Sequence, residues 1–383
     1  MKKTSLTLAT AAALLLGACG GTSAAPDTTS NAPTPGGIDL TADCPSTVVI
    51  QTDWNPEAEH GFLYNLLGND YEVDTDKVAV RGTLMASGKS TGVRVEIRAG
   101  GPAIGFQRPI AAMYTDPDIM LGFVSTDEAI NFSADKPTMS VVAPFVKNPQ
   151  VIMWDPATYP EVKEIKDLKE HEVKVIYRDG LSFMDYFLQA GILDAKELDG
   201  TYDGTAAAFV AAGGKKAQQG FSTSEPYYYE KVLKDWMKPV AYQYVHDAGW
   251  TAYAQSLGGT PENITKWSAC LKKLVPVIQQ SQVDYVNSPD AANAVILDAV
   301  NTYNNGWLYD AGQATAAAAM MKQDGVVANS PDGTLGSFDL DRVTQFISTA
   351  TPVFLATGSK PKQGLTAADL VTNEYVDPTI SLG

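Results

Sequence analysis

The 383-residue sequence predicts an α/β protein of two lobes, each a sheet flanked by helices, with a ligand cleft between the lobes. Three observations carry this expectation. Strand-to-helix units begin at Val48, Thr91 and Asp118, and each strand runs into a polar loop. In an open α/β sheet such loops gather on one edge, which is where ligands bind. Extended runs at 139–145, 150–154 and 239–245 then carry the chain into and out of an inserted segment. The first lobe therefore takes 41–145 and 240–383 and the second takes 146–239, and a pair of crossings implies a hinge.

The chain opens with Lys2 and Lys3, an apolar run from Ala9 to Leu16, and Leu16-Gly17-Ala18-Cys19. The apolar run is too short to span a bilayer permanently and reads as an export signal. Its end resembles the lipobox of bacterial lipoproteins, which implies a signal peptide over 1–18 and a lipid on Cys19. The alternative is a plain secretory signal cut after Ala18. Residues 19–40 are rich in Gly, Ser, Thr, Ala and Pro and read as a flexible tether. The expected location is the extracytoplasmic face of the cell membrane, held only by the lipid anchor.

The first unit is Val48-Val49-Ile50-Gln51, a polar loop from Thr52 to Gly61, and a helix from Phe62 that stops at Gly68. Tyr71–Leu84 is charged and alternating and reads as a surface excursion, as a hairpin would be. Thr91–Arg98 alternates with period two and ends in Ala99-Gly100-Gly101-Pro102, a tight turn into a helix over 103–114. Asp118–Val124 is the third strand, with Ser125-Thr126-Asp127-Glu128 capping the next helix. In the second lobe, 172–177 and 217–221 read as strands and 183–190 and 206–212 as helices. Pro239–Val245 is expected to be the strand back. The rest is mostly helical: Thr260-Pro261 starts a helix to about Gln280 with a kink at Pro276. Further helices lie at 288–306, 313–322 and 338–350.

The charge balance is acidic, with 28 Lys and Arg against 44 Asp and Glu, a net −16. Loss of Lys2 and Lys3 with the leader makes it two charges more negative. Nucleic-acid partners need clustered basic residues, so they are excluded, and the charge favours a soluble monomer. Of the three cysteines, Cys19 is assigned to lipid. Cys44 and Cys270 remain as an even pair in an oxidising compartment, and Cys270 shares a helical face with Trp267, Leu271 and Leu274. A disulfide between them is expected, and two free buried thiols are the alternative. Three scattered histidines and two distant cysteines lack metal-ligand spacing, so neither a metal nor another cofactor is expected.

The sheet-edge loops supply the candidate ligand residues. Trp54 suits stacking on a flat or cationic ligand, with Tyr202 and Tyr227 closing from the other lobe. Asp53, Asn55, Glu59, Asp127, Asp203 and Glu225 supply acceptors, Thr126 a hydroxyl, and His60 either a donor or an acceptor. Gly100 and Gly101 let backbone approach a ligand. Each has a plainer alternative: Trp54 as packing, His60 and Asp127 as helix caps, Thr201–Gly204 as a simple turn. At least one of Tyr227, Tyr228 and Tyr229 must be packing.

The motifs resemble a family. Asp53-Trp54-Asn55-Pro56 with His60-Gly61, Ala99-Gly100-Gly101-Pro102, and Gln219-Gly220-Phe221 with Glu225-Pro226-Tyr227 look like those of substrate-binding proteins of bacterial ABC importers. The similar branch includes binding proteins for nitrate, taurine, aliphatic sulfonates and the thiamine pyrimidine precursor. The resemblance covers Val48 to the C-terminus. It implies a type II periplasmic-binding-protein fold and, as partners, a small molecule, a permease and an ATPase. The Asp-Trp-x-Pro element is closest to the pyrimidine-precursor members. The chain departs from the relatives at Phe62, where they continue with a glycine-rich helix start, and in the insertion 71–84.

Charge separates the ligand classes. Oxyanion sites bring Arg, Lys or helix N-termini. The inferred loops carry aromatic rings and carboxylates, with Arg98 and Arg178 lying before their turns. A neutral or cationic nitrogen heterocycle, such as an aminopyrimidine, is therefore favoured. The alternative is a nitrate or sulfonate held by backbone N–H groups at Gly100-Gly101. An enzyme is the competing class, because pyrimidine-synthesising relatives share the fold and use a histidine, here His60. The export signal and the lack of a nucleophile elbow or Walker loop oppose it.

Overall fold

A computed structural model describes residues 33–383; the leader and Cys19 lie outside the described residues. The strands are β1 (Thr47–Gln51), β2 (Glu72–Asp74), β3 (Ala79–Ala86), β4 (Lys89–Arg98), β5 (Ile119–Val124), β6 (Met139–Val142), β7 (Gln150–Trp154), β8 (Val175–Ile176), β9 (Leu198–Asp199), β10 (Ala217–Phe221), β11 (Ala241–Tyr244) and β12 (Ser256–Gly259). They form a seven-stranded sheet in the order β2-β3-β4-β1-β5-β12-β6 and a five-stranded sheet in the order β11-β7-β10-β8-β9. Helices flank both, which makes the molecule a two-lobe α/β protein.

The β-branched run of β1 fits a central strand buried on both faces. It lies parallel to β4 and β5, with Gln51 opposite Arg98 and Gly122. The three loops that follow Gln51, Arg98 and Val124 therefore leave the same edge side by side. Tyr71–Leu84 is a hairpin, but not a surface one. Val80 pairs with Ile97, and Ala79, Val80 and Leu84 are buried, with Val80 and Leu84 in the same hydrophobic core as Ile97 and consecutive residues Ala79 and Val80 covered on opposite faces of the strand.

Three other expectations change. The helix drawn over 103–114 is a 3-10 turn, Gly101–Ile104, followed by a separate helix, Pro109–Thr115. Gly105 and Phe106 between them are left-handed, with φ of 62° and 60°, which no helix accommodates. The run 239–245 does not return to the first sheet; it forms β11 and pairs antiparallel with β7. The strand that does return is β12, inserted between β5 and β6. Ser-Leu-Gly-Gly carries one large apolar residue and no alternation, so only the slot between two strands makes it one. Finally, the helix beginning at Thr260-Pro261 breaks at Trp267. A second helix runs from Ser268 to Asn287 through Pro276.

The caps follow their side chains. Thr260, Asp310 and Asp339 each accept a backbone N–H at the start of helices Pro261–Lys266, Ala311–Gln323 and Leu340–Ala356. Cys44 and Cys270 form a disulfide across 226 residues, joining the segment before β1 to the long helix.

Between the lobes the chain crosses at 143–149 and 245–255, and Arg342 ties the two crossings together. Its guanidinium donates to the Val146 carbonyl at 2.5 Å, to Thr251 at 2.9 Å and to Ala252 at 3.2 Å. It also lies 3.8 Å from the Tyr253 ring centroid. Burial, with Arg342 close by, pushes His246 down to about 4. Among the described residues no helix is long and apolar enough to cross a membrane.

Candidate functional site

The loop after β1 is anchored before it reaches the cleft. Gln51 Nε2 donates to the Ala99 carbonyl at 2.9 Å and Thr52 Oγ1 to that of Arg98 at 3.0 Å. The loop after β4 then lies flat against it. Gly100 N–H donates to the Trp54 carbonyl at 2.8 Å and Gly101 N–H to that of Asp53 at 2.9 Å. A Cβ on Gly100 would stand 2.3 Å from the Thr52 carbonyl oxygen, and one on Gly101, whose φ is +56°, 2.6 Å from the Trp54 ring. The glycines thus serve loop-to-loop contact, and their N–H groups are engaged by backbone rather than offered to an oxyanion.

Trp54 is half-buried between aromatic neighbours: Phe106 at 6.1 Å and Trp307, edge-on, at 6.2 Å. Trp307 stacks on Tyr309 at 6.2 Å. Arg178, from the second lobe, places its guanidinium 5.7 Å from the Phe106 ring.

Behind Trp54 the carboxylates converge. His60 is fully buried, with Nε2 3.1 Å from Asp53 Oδ1 and 3.8 Å from Glu57 Oε1. Gln255 Nε2 donates to Asp53 Oδ2 at 3.0 Å and to Glu59 Oε2 at 3.1 Å. Thr223, from the second lobe, donates its hydroxyl to Glu59 Oε1. Glu225 accepts from Phe221 N at 2.6 Å. Burial first, then the negative charges of Glu59, Asp53 and Glu225, hold the Glu57 carboxyl well above its usual range. Burial raises Glu59 and Glu225 to about 7 each. Burial, with the charge of Glu225 adding to it, also raises the Tyr202 hydroxyl above its usual range. On the third loop, burial raises Glu128 to about 7 although Arg108 pairs with it.

Other candidates have local partners. Asn55 is buried and accepts from Asn305 at 3.0 Å. Thr126 exchanges two 2.9 Å bonds with the Tyr253 backbone. Asp127 lies in the first turn of helix Thr126–Asn131, next to Arg108, while Ser125 holds the N-cap position. Asp203 is exposed and closes a turn on Thr205. The Tyr227 hydroxyl packs on Gly312 of the first lobe. Tyr229 is buried and accepts from Gln218 at 2.9 Å, so it is the packing member of the tyrosine trio.

Sequence reasoning missed Glu57, Thr223, Gln255, Phe106 and Trp307 as site members. Glu57 and Thr223 lie within the two motif stretches, next to residues that were named. Gln255 carries no motif; its φ of 52° marks it only once the backbone is known. The lobes meet at further points. Gln313 donates to Ser224 at 3.0 Å, and Tyr242 and Tyr244 donate to Asp324 at 3.0 and 2.7 Å.

Comparison with known proteins gives a fold. No family model and no curated protein matches the chain. Solved structures do. The periplasmic aliphatic sulphonate binding protein of Escherichia coli superposes with a TM-score of 0.52 at 16% identity, over 84% of this chain and 94% of that one. The alkanesulfonate-binding protein of Xanthomonas axonopodis pv. citri, bound to MOPS, gives 0.50 at 13%, over 86% and 99%. A zinc-bound ligand-binding component of an ABC-type import system from Staphylococcus aureus gives 0.50 at 11%, over 88% and 100%. The chain thus has the two-lobe fold of periplasmic binding proteins.

Proposed function

We propose that this chain is a lipid-anchored extracytoplasmic solute-binding protein. It delivers a nitrogen heterocycle, cationic when bound and of the aminopyrimidine kind, to an ABC import permease and its ATPase. The fold supports the class. The observation that carries the ligand is the carboxylate convergence: Asp53 and Glu57 share His60, Asp53 and Glu59 share Gln255, the charge of Glu225 adds to their mutual repulsion, and among the described residues His60 is the only basic side chain within salt-bridge distance of them. A positive ligand relieves that repulsion, whereas a sulfonate or nitrate adds to it.

The reading assigns Asp53, Glu57, Glu59 and Glu225 to the charged part of the ligand, Trp54 to stacking, and Tyr202 and Tyr227 to the facing wall. The inserted lobe begins near 146 and, with β11 in its sheet, runs past 239 to about 245. Cys19 carries the lipid and the protein acts as a monomer. The sulfonate reading draws on what two structural relatives bind, but Gly100 and Gly101 have no free N–H for it. Zinc belongs to the Staphylococcus aureus relative; among the described residues no group of three His, Cys, Asp or Glu is placed to hold a metal ion. Catalysis is not part of the reading, and His60 holds Asp53 in place.

A thermal-shift screen of the mature protein against aminopyrimidines, thiamine, polyamines, sulfonates and nitrate tests it. Stabilisation by nitrogen cations is expected, and stabilisation by oxyanions alone overturns it. Turnover of a pyrimidine precursor would restore the enzyme reading.

A further inference from the structure

We propose that the Asp53–Glu57–Glu59 cluster reads unsubstituted N–H groups on its ligand, so that a primary amine on a protonated ring is taken and its N-alkylated counterpart is refused. This rests on the cation reading above and narrows it.

Donors in the cluster are scarce. Asp53 and Glu57 share His60 Nε2, at 3.1 and 3.8 Å. Asp53 and Glu59 share Gln255 Nε2, at 3.0 and 3.1 Å. Among the described residues, the Thr223 hydroxyl is the one further side-chain donor that reaches them. An ionised carboxylate offers about four acceptor positions, and a protonated one, the form that burial favours at Glu57, still has more acceptor positions than its single O–H donor. Glu57 has no hydrogen bond shorter than its 3.8 Å approach to His60, and its side chain is only 13% exposed. The acceptor capacity of the three side chains therefore exceeds the N–H and O–H groups that reach them.

A second observation points the same way. Gln255 is 4% exposed, and its Oε1 has no hydrogen-bond partner, although the nitrogen of the same amide bridges Asp53 and Glu59. A buried amide oxygen without a donor, one amide's width from the carboxylates, calls for a donor from outside the chain.

A quaternary or dialkylated nitrogen supplies charge but leaves these acceptors unmet. A protonated 4-aminopyrimidine supplies a charged ring N–H and, on its amino group, two further N–H donors, which carboxylates and the Gln255 Oε1 can accept. The ring faces of Trp54, Phe106 and Trp307 stack on either ligand, so they do not discriminate. The choice falls to the carboxylates and Gln255.

Calorimetric titration of the mature protein with 4-amino-2-methylpyrimidine, 4-(dimethylamino)-2-methylpyrimidine and ethanesulfonate tests this. The amino compound is expected to bind at least about 100-fold more tightly than the dimethylamino compound, because a site built for a donor rejects the analogue that lacks it. Glu57→Gln is expected to lower affinity for the amino compound about tenfold, because a bound cation takes the place of the carboxyl proton and the charge-assisted bond so formed is lost, and to change that for the dimethylamino compound little. Equal or tighter binding of the dimethylamino compound overturns the N–H inference and leaves the cation reading standing. Binding of ethanesulfonate alone, or of none of the three, overturns both. The ligand pair is measured on the unaltered protein, so the outcome does not depend on how the variant folds.

Discussion

Trp54 is held from three sides without being buried. Gly101 packs under its ring, Phe106 lies beside it and Trp307 meets it edge-on. Such a residue contributes stacking area to a ligand while the backbone that carries it is fixed by other atoms. Trp54→Ala should weaken binding of a cationic ring by up to about 30-fold, the equivalent of a strong cation–π contact of about 2 kcal/mol. The circular-dichroism spectrum should not change. Unaltered affinity would place the ligand elsewhere. Asp53, Trp54, Glu59 and His60 were readable because they share one loop behind one strand. Their partners were not. Thr223 and Gln255 come to Glu59 from 164 and 196 residues away, and no local pattern records that distance.

Two devices act on whole elements. The disulfide closes a loop of 226 residues between the segment before β1 and helix Ser268–Asn287. Replacing Cys44 and Cys270 together by Ser should lower unfolding free energy by about 2–4 kcal/mol. The denatured, unreduced wild-type protein should show neither thiol free; finding both free would refute the bridge. The other device is Arg342. It leaves helix Leu340–Ala356 to bind the carbonyls of Val146, Thr251 and Ala252, one on the outgoing crossing and two on the return. Arg342→Met removes those donors and should cost about 3 kcal/mol or more. Hydrogen exchange should speed up at the amides of both crossings together. Faster exchange at only one of them would mean that Arg342 does not couple the pair. The helix start at Thr260 was legible because a cap is a local side-chain event, while the caps at Asp310 and Asp339 went unread and their helices were placed from 313 and 338. The break at Gly105–Phe106 was not legible, since Phe106 adopts its left-handed backbone only where the turn packs against Trp54.

At the scale of the molecule, the cleft couples protons to stability. Glu59, Glu128 and Glu225 titrate near 7 in the folded protein, chiefly because they are buried, against an ordinary glutamate value of 4.5. Between about pH 4.5 and 7 the folded chain therefore holds protons that the unfolded chain has released. Stability contributed by these groups is full below that window and is lost as pH rises through it. Asp369 and His246 act in the opposite direction: Asp369 is held down to about 2 mainly by its hydrogen bond from Lys362, so its contribution is lost only in stronger acid, and His246, held down to about 4 by burial against an ordinary 6.5, offsets part of the glutamates' gain below pH 6.5. The melting temperature should rise when the protein is taken from about pH 8 to about pH 5.5, and a saturating cationic ligand should flatten that slope. A melting temperature that falls on mild acidification would show that the cleft carboxylates are not buried against one another.

Residue order alone was enough for the two-lobe α/β class, the gathering of the first three loops on one sheet edge and the partners in the disulfide. Alternation, β-branching, caps and cysteine count are local or compositional quantities, and they survive without knowledge of the fold. Packing in three dimensions was needed to show that β11 joins the second sheet, that Ser256–Gly259 is a strand at all, and that Gly100 and Gly101 give their N–H groups to a neighbouring loop. It also makes Asp53, Glu57 and Glu59 share too few donors. Each of these depends on which backbone or side chain arrives from a distant part of the chain. Electrostatic cost depends on burial and separation, which packing sets and residue order does not.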